Sequence, residues 1–214
     1  MRWNAIIFDM DGTLFDTEEI AKQAWYAIEK HFGLPVSDEF ILSLCGRTRA
    51  SAQEIFEKQF QGNWDEEETY RFRGQFMAAY KKEHGPLPKC DLNALFTALK
   101  QKGYRLAICS SSSREEILYN LSFDRLEHYF DVIVDGSMTK RGKPAPDIYL
   151  KTAQLLGEDP ARCLVIEDSD NGVRAGLDAG MDSIMVIDLI RPNEELRERC
   201  FCILDNLEEL LRIV

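Results

Sequence analysis

The sequence predicts an α/β fold: a parallel sheet covered by helices, interrupted after its first strand by an all-helical segment. Three observations carry this. Short apolar runs rich in Val and Ile recur at "AIIF" (5–8), "RLAICS" (105–110), "DVIVD" (131–135), "CLVI" (163–166) and "SIMVI" (183–187). Amphipathic segments of helical length lie between the later runs, and that alternation marks βαβ units. From about Thr17 to Pro88 the alternation stops, and helical patterns follow one another without a strand.

The elements follow in order. "AIIF" opens the sheet and ends in Asp9-Met10-Asp11-Gly12. Helical patterns then run at "EEIAKQAWYAIEKHFG" (18–33), "SDEFILSLCG" (37–46), "RASAQEIFEKQFQG" (49–62) and "EEETYRFRGQFMAAYKKEHG" (66–85). The acidic "DEEE" (65–68) suits a first helical turn, where negative charge complements the helix dipole. Trp25, Tyr26, Phe72 and Phe76 supply packing for this insert. "GPLPKC" (85–90), with two prolines and a glycine, reads as the return hinge, and the outgoing hinge falls near Phe15 to Thr17. The expected division is therefore an α/β core of residues 1–16 and 88–214 and a helical domain of residues 17–87. In the core, "DLNALFTALKQKG" (91–103), "PDIYLKTAQLLG" (146–157) and "NGVRAGLDAG" (171–180) each end at a glycine, as helix C-termini often do. The tail "NLEELLRI" (206–213) reads as a last helix.

Composition narrows the function classes. The chain has 214 residues, 45% apolar and 29% charged, a net charge of -11 and a pI near 4.8. The acidic balance argues against a nucleic-acid partner, because phosphate-backbone binding is led by Lys and Arg patches. It leaves room for a small anionic ligand where positive charge is concentrated. No apolar stretch approaches the ~20 residues of a membrane span, and "MRWNAIIFDMDG" lacks a signal-peptide pattern. The six cysteines form no CxxC pair, and Cys109 and Cys163 sit in apolar runs, so buried free thiols are expected. Three distant histidines suggest no zinc motif. A cytoplasmic monomer is the default.

In open parallel sheets, ligands sit beyond the carboxyl ends of the strands. After "AIIF" come Asp9 and Asp11, after "LAIC" the hydroxyls Ser110 to Ser113, after "DVIVDGSMTKRG" Lys143, and after "LVI" Glu167 and Asp168. Each has a plainer reading alone: a "DG" turn, serines or carboxylates capping helices, a solvated loop lysine. Together they make a site. Carboxylates crowded in one dry cleft repel by about 4 kcal/mol per pair at ~4 Å, so one takes up a proton or a cation binds. Oxygen ligands without His or Cys favour a hard cation, magnesium first. Lys143 and Ser110 then complete a phosphate-binding set. Against a held phosphate, Asp9 can attack as nucleophile, and Asp11 can give a proton to the leaving oxygen and later take one from water.

"DMDGTLFDT" (9–17), "CSSS" (109–112), "GKPAPD" (142–147) and "VIEDSDNG" (165–172) resemble, in order and spacing, the four motifs of the haloacid dehalogenase superfamily. The insert resembles the small cap of the branch that contains β-phosphoglucomutase and many sugar-phosphate phosphatases. The resemblance implies a Rossmann-like core with an inserted helical cap that sets specificity. It implies Asp9 as nucleophile and magnesium ligand, Asp11 as acid/base and ligand through its carbonyl, Asp168 as a further ligand, and Glu167 as ligand or outer acid. Thr13, Ser110 and Lys143 would hold the transferring phosphoryl group. Arg47 and Arg49, in "LCGRTRAS" (44–51), are surface charges or grip the far end of the substrate, and Arg49 resembles the mutase arginine that holds a second phosphate.

Three functions are expected to compete. The first is a magnesium-dependent phosphatase acting on a small phosphorylated metabolite, a sugar or polyol phosphate, through an aspartyl phosphate. The second is a β-phosphoglucomutase-type mutase, and two departures tell against it: Thr13 stands at the valine of the "DxDGVxTDT" pattern, and Ala21 at the position of a histidine. The third is a non-catalytic phosphometabolite-binding protein.

Overall fold

The computed structural model describes residues 2–44, 52–188 and 191–214. The chain forms two compact units, Thr17–Pro86 on the one hand and Met1–Asp16 with Leu87–Val214 on the other. The first of these is helical: α1 (Thr17–Phe32), α2 (Asp38–Leu44), α3 (Gln53–Phe60) and α4 (Glu66–His84). Its interior is built on rings. Trp25, Ile28, Phe40, Ile41, Phe56 and Phe60 are buried together, with Tyr26 and Phe72 packed against them. Trp25 meets Phe40 edge-on at 5.4 Å, one of the offset geometries that aromatic pairs prefer. Asp65 caps α4, its side chain accepting the Glu68 N–H.

The other unit holds a six-stranded parallel sheet of β1 (Ala5–Phe8), β2 (Arg105–Cys109), β3 (Val132–Val134), β4 (Cys163–Glu167), β5 (Asp182–Val186) and β6 (Cys202–Leu204). The strand order is β3-β2-β1-β4-β5-β6. β1 is buried throughout, and its residues alternate between the two faces. Ile6 and Phe8 join a core with Leu95, Phe96 and Leu99, while Ala5 and Ile7 join one with Ile148, Tyr149 and Ala153. The helices are α5 (Leu92–Gln101), α6 (Arg114–Ser122), α7 (Asp147–Leu156), α8 (Asp170–Asp178) and α9 (Glu194–Arg199). α5 buries Leu92, Leu95, Phe96 and Leu99, the i, i+3, i+4, i+7 stripe of a helix lying on a sheet. α7 ends at Gly157, which takes the left-handed conformation.

Two expectations need correction. The tail is a 3-10 helix, Leu207–Arg212, and its buried Leu207 and Leu210 repeat at the three-residue period of that form. α8 begins one step earlier than its sequence pattern and is capped by Ser169, whose side chain accepts the Gly172 N–H. β6 and α9 had no counterpart among the apolar runs and helical patterns.

Chain leaves and re-enters the sheet unit at one place. Phe15 bridges antiparallel to Pro88, Asp16 N–H donates to Leu87 O at 2.7 Å, and Lys89 N–H to Leu14 O at 2.9 Å. Lys89 Nζ pairs with Asp188 at 2.5 Å and lies 3.7 Å from Asp16. No helix among the described residues is long and apolar enough to cross a membrane.

Candidate active site

The registers decide what meets at the carboxyl edge. Phe8 lies beside Ile108 in β2 and Ile166 in β4, so the residues following these three strands emerge together. Asp9 continues β1 by one residue, its N–H donating to Ile166 O at 2.9 Å. The chain then turns tightly, with Leu14 N–H donating to Met10 O and Gly12 N–H to Phe15 O. Gly12 sits at φ +85, and a Cβ there would lie 2.2 Å from Asp168 Oδ2. Only glycine fits both the backbone and the space.

Lys143 lies at the centre of the charges. Its ammonium, buried on the loop between β3 and α7, donates to Asp9 Oδ1 and to Glu167 Oε1, the latter at 2.5 Å. Glu167 is fully enclosed. Its Oε1 also accepts from the Tyr149 hydroxyl at 3.0 Å, and its Oε2 from the Asp168 and Ser169 N–H groups and the Ser169 hydroxyl. Burial alone would raise the Glu167 pKa, but Lys143 and these donors hold it below its usual value. Asp9 goes the other way: burial pushes its pKa up to about 8 against the pull of Lys143, with help from the Glu167 and Asp11 charges. Asp168 is likewise raised well above the carboxylate range, by burial and by the charges of Glu167 and Asp9. Lys143, which burial would discharge, is held charged by Asp9 and Glu167. One ammonium therefore faces more carboxylate than it can neutralise.

That imbalance fits a cation. Asp9, Glu167 and Asp168 each offer a carboxylate oxygen within 4.8 Å of the others, an all-oxygen donor set suited to magnesium. Glu167 already accepts at both oxygens, whereas Asp168 accepts at Oδ1 from Thr13 at 3.0 Å. The Thr13 hydroxyl is thus aimed at Asp168, in a fully buried position.

Across the turn, Asp11 Oδ2 accepts from the Ser112 hydroxyl at 2.6 Å, with the Ser110 hydroxyl at 3.4 Å. Ser110 is buried behind it. Ser113 caps α6 in a reciprocal box with Glu116. The serine run thus divides between helix capping and the site.

The structure brings together Asp9, Asp11, Thr13, Ser110, Lys143, Glu167 and Asp168. Arg47 and Arg49 lie outside the described residues. Sequence reasoning passed over Tyr149 and Gly172, and from the run Ser110 to Ser113 it singled out Ser110 and not Ser112. A Cβ at Gly172 would fall 1.7 Å from Glu167 Oε1, so this glycine makes the space in which Glu167 holds Lys143. Gly172→Ala is expected to cost about 1–3 kcal/mol in overpacking and, by shifting Lys143, about 100-fold in kcat/KM. Wild-type kinetics from that variant would show that Glu167 does not set the geometry.

The chain matches, over residues 6–186, the family described as haloacid dehalogenase-like hydrolase. It belongs to that family. Among its curated relatives, fructose-1-phosphate phosphatase YqaB of Escherichia coli is 34% identical over 86% of this chain and 97% of its own. The phosphorylated carbohydrates phosphatase of Thermotoga maritima is 30% identical over 98% of this chain and 97% of its own. Among solved structures, a β-phosphoglucomutase from Clostridium difficile superposes with a TM-score of 0.71 at 25% identity, covering 97% of this chain and 93% of that one. By family and named relatives, this haloacid dehalogenase-like hydrolase is an enzyme of the phosphoric monoester hydrolase class.

Proposed function

We propose that the chain is a magnesium-dependent phosphatase of a small sugar or polyol phosphate, working through an aspartyl phosphate on Asp9. The supporting observation is the juxtaposition of a buried aspartate, a buried ammonium bonded to it and a second aspartate two residues on, all at the edge where the family's ligands enter. Lys143, already against Asp9, draws the phosphoryl oxygens to the nucleophile, and the buried Ser110 hydroxyl adds a donor. Asp9 attacks the phosphorus while Asp11 protonates the departing oxygen; Asp11 then deprotonates the water that releases phosphate. Asp9 and Asp168 would hold magnesium, with the Asp11 carbonyl, while Glu167 acts from behind by fixing Lys143 and the loop. When bound, magnesium supplies positive charge that offsets repulsion between carboxylate and phosphate.

In this reading residues 17–87 form a cap that sets specificity. The relatives' substrates, fructose 1-phosphate and phosphorylated carbohydrates, point to the same class of ligand. The likeness to a mutase supports a second reading, against which Ala21 stands, a buried alanine in α1 with no group to move a proton. Free thiols at Cys90, Cys109, Cys163, Cys200 and Cys202 suit a reducing cytoplasm.

Phosphate release from fructose 1-phosphate and a panel of other sugar, polyol and nucleoside monophosphates, with magnesium or EDTA, tests the proposal. Release confined to magnesium and strongest on a sugar or polyol phosphate supports it. No release, but conversion of β-glucose 1-phosphate with a bisphosphate primer, would replace it with the mutase.

Metal binding should also carry a pH signature. Asp9 must lose its proton to become a ligand, and its metal-free pKa is raised to about 8. Asp168, the other ligand in this reading, is raised as well, so below about pH 8 each magnesium bound displaces at least one proton and apparent affinity should rise at least about tenfold per pH unit. Calorimetry at several pH values measures the slope. A flat profile from pH 6 to 8 would mean that Asp9 is not displacing a proton.

A further inference from the structure

The shortest bond to the proposed proton carrier comes from a residue that neither the motif set nor the charge argument required. Ser112 Oγ donates to Asp11 Oδ2 at 2.6 Å, against 3.4 Å for Ser110 Oγ. Ser112 is itself pinned. Its N–H donates to Ser110 Oγ at 3.0 Å, its carbonyl accepts from Gly136 N–H at 3.4 Å, and the next residue caps α6. With its backbone held in this way, Ser112 cannot shift to follow Asp11 if the carboxyl rotates, so the bond restrains the carboxyl.

We propose that Ser112 is a positioning residue for proton transfer by Asp11, an inference that rests on the phosphatase reading above. A carboxyl group has two oxygens and carries the transferable proton on one of them. With Oδ2 accepting from Ser112, Oδ1 is the oxygen left to give and take the proton, and rotation that would exchange the two oxygens is opposed. In the first step a bond forms between an Asp9 oxygen and phosphorus, the bond from phosphorus to the substrate oxygen breaks, and that oxygen takes the Asp11 Oδ1 proton. In the second step water attacks the same phosphorus, gives its proton back to Asp11 Oδ1, and the bond from phosphorus to Asp9 breaks. Ser110 is no substitute, because its hydroxyl lies farther from Asp11, at 3.4 Å, and in the reading above it donates to the phosphoryl group.

The leaving group tests this. Proton donation matters when the departing oxygen is strongly basic and little when it is stable as an anion. kcat/KM reports events up to that departure and not the later hydrolysis. It would be measured for phenyl, p-nitrophenyl and 2,4-dinitrophenyl phosphate, with magnesium, in wild type, Ser112→Ala, Ser112→Thr and Asp11→Asn. Ser112→Ala is expected to lose about tenfold or more on phenyl phosphate and under about threefold on the dinitrophenyl ester, a fraction of the effect of a general acid. Asp11→Asn should show the same trend more steeply, and Ser112→Thr, which keeps the hydroxyl, should regain most of the activity. An equal loss for all three esters would make Ser112 a structural residue and overturn the proposal, as would no loss at all. An Asp11→Asn variant insensitive to the leaving group would remove the role that Ser112 is said to serve. If wild type released phosphate from none of these esters nor from any sugar phosphate, the phosphatase reading itself would fall.

Discussion

Asp9→Asn is expected to lower kcat by at least about a thousandfold while leaving the metal-free protein as stable as wild type or more so. The two halves come from the same contacts. An amide oxygen cannot form the phosphoenzyme, and no other carboxylate continues β1 into the Lys143 contact. Yet burial and the Glu167 charge favour the neutral form of Asp9, whose pKa rises to about 8. A carboxyl with a raised folded pKa contributes its full stability below the unfolded value, 3.8, and loses it progressively as pH rises through about 8. Asparagine has no charge to lose, and its carbonyl can still accept from Lys143. Thermal melting in EDTA at pH 8 should therefore show no loss of Tm, and the gain in Tm that magnesium gives wild type should shrink. A large drop in Tm without metal would mean that the ionised carboxylate is an important structural partner of Lys143.

Lys143→Met should damage both fold and function. Methionine matches the length of the buried stem but leaves Asp9 and Glu167 without their ammonium, in surroundings that Asp168 shares. Removing one member of a buried ion pair costs about 3–5 kcal/mol, roughly 10 °C in Tm at this size. The loss should be larger in EDTA than in magnesium, because a bound cation would replace part of the missing charge. Activity should fall at least about a hundredfold through the lost electrostatic stabilisation. Equal melting of variant and wild type in EDTA would show that the carboxylates simply take up protons in place of the ammonium.

Most of the site residues legible in the sequence lie where an apolar run ends. Asp9 follows "AIIF", Ser110 follows "LAIC" and Glu167 and Asp168 follow "LVI", so the strand pattern that gives five of the six strands also delivers these residues to one edge. Lys143 does not adjoin its strand, β3, and was found through "GKPAPD". What stayed hidden is defined by neighbours distant in sequence. Tyr149 looks like any buried aromatic on an amphipathic helix, and only the fold shows its hydroxyl against Glu167. Ser112 stands among four consecutive serines, and nothing local distinguishes the one that reaches Asp11. Gly172 matters because of where Glu167 lies. β6 has three residues, two of them partly exposed at the sheet edge, too few for a period to register. The 3-10 form of the tail is hidden in the sequence because the two helical periods barely separate over six residues.

The paired crossing at Phe15 and Pro88 has a consequence for how such a molecule can change. Residues Leu14 to Asp16 and Leu87 to Lys89 run side by side, joined by two backbone hydrogen bonds, so the two cut ends of the sheet unit are already neighbours. The helical excursion is seen from the sheet as a loop of almost no span, and the entropy of closing such a loop grows only logarithmically with its length. Helices can be lengthened, shortened or exchanged wholesale at this junction without moving a strand. The chemistry on the edge is thereby insulated from variation in the part proposed to choose the substrate, and one catalytic frame can be fitted to many metabolites by grafting at a single seam.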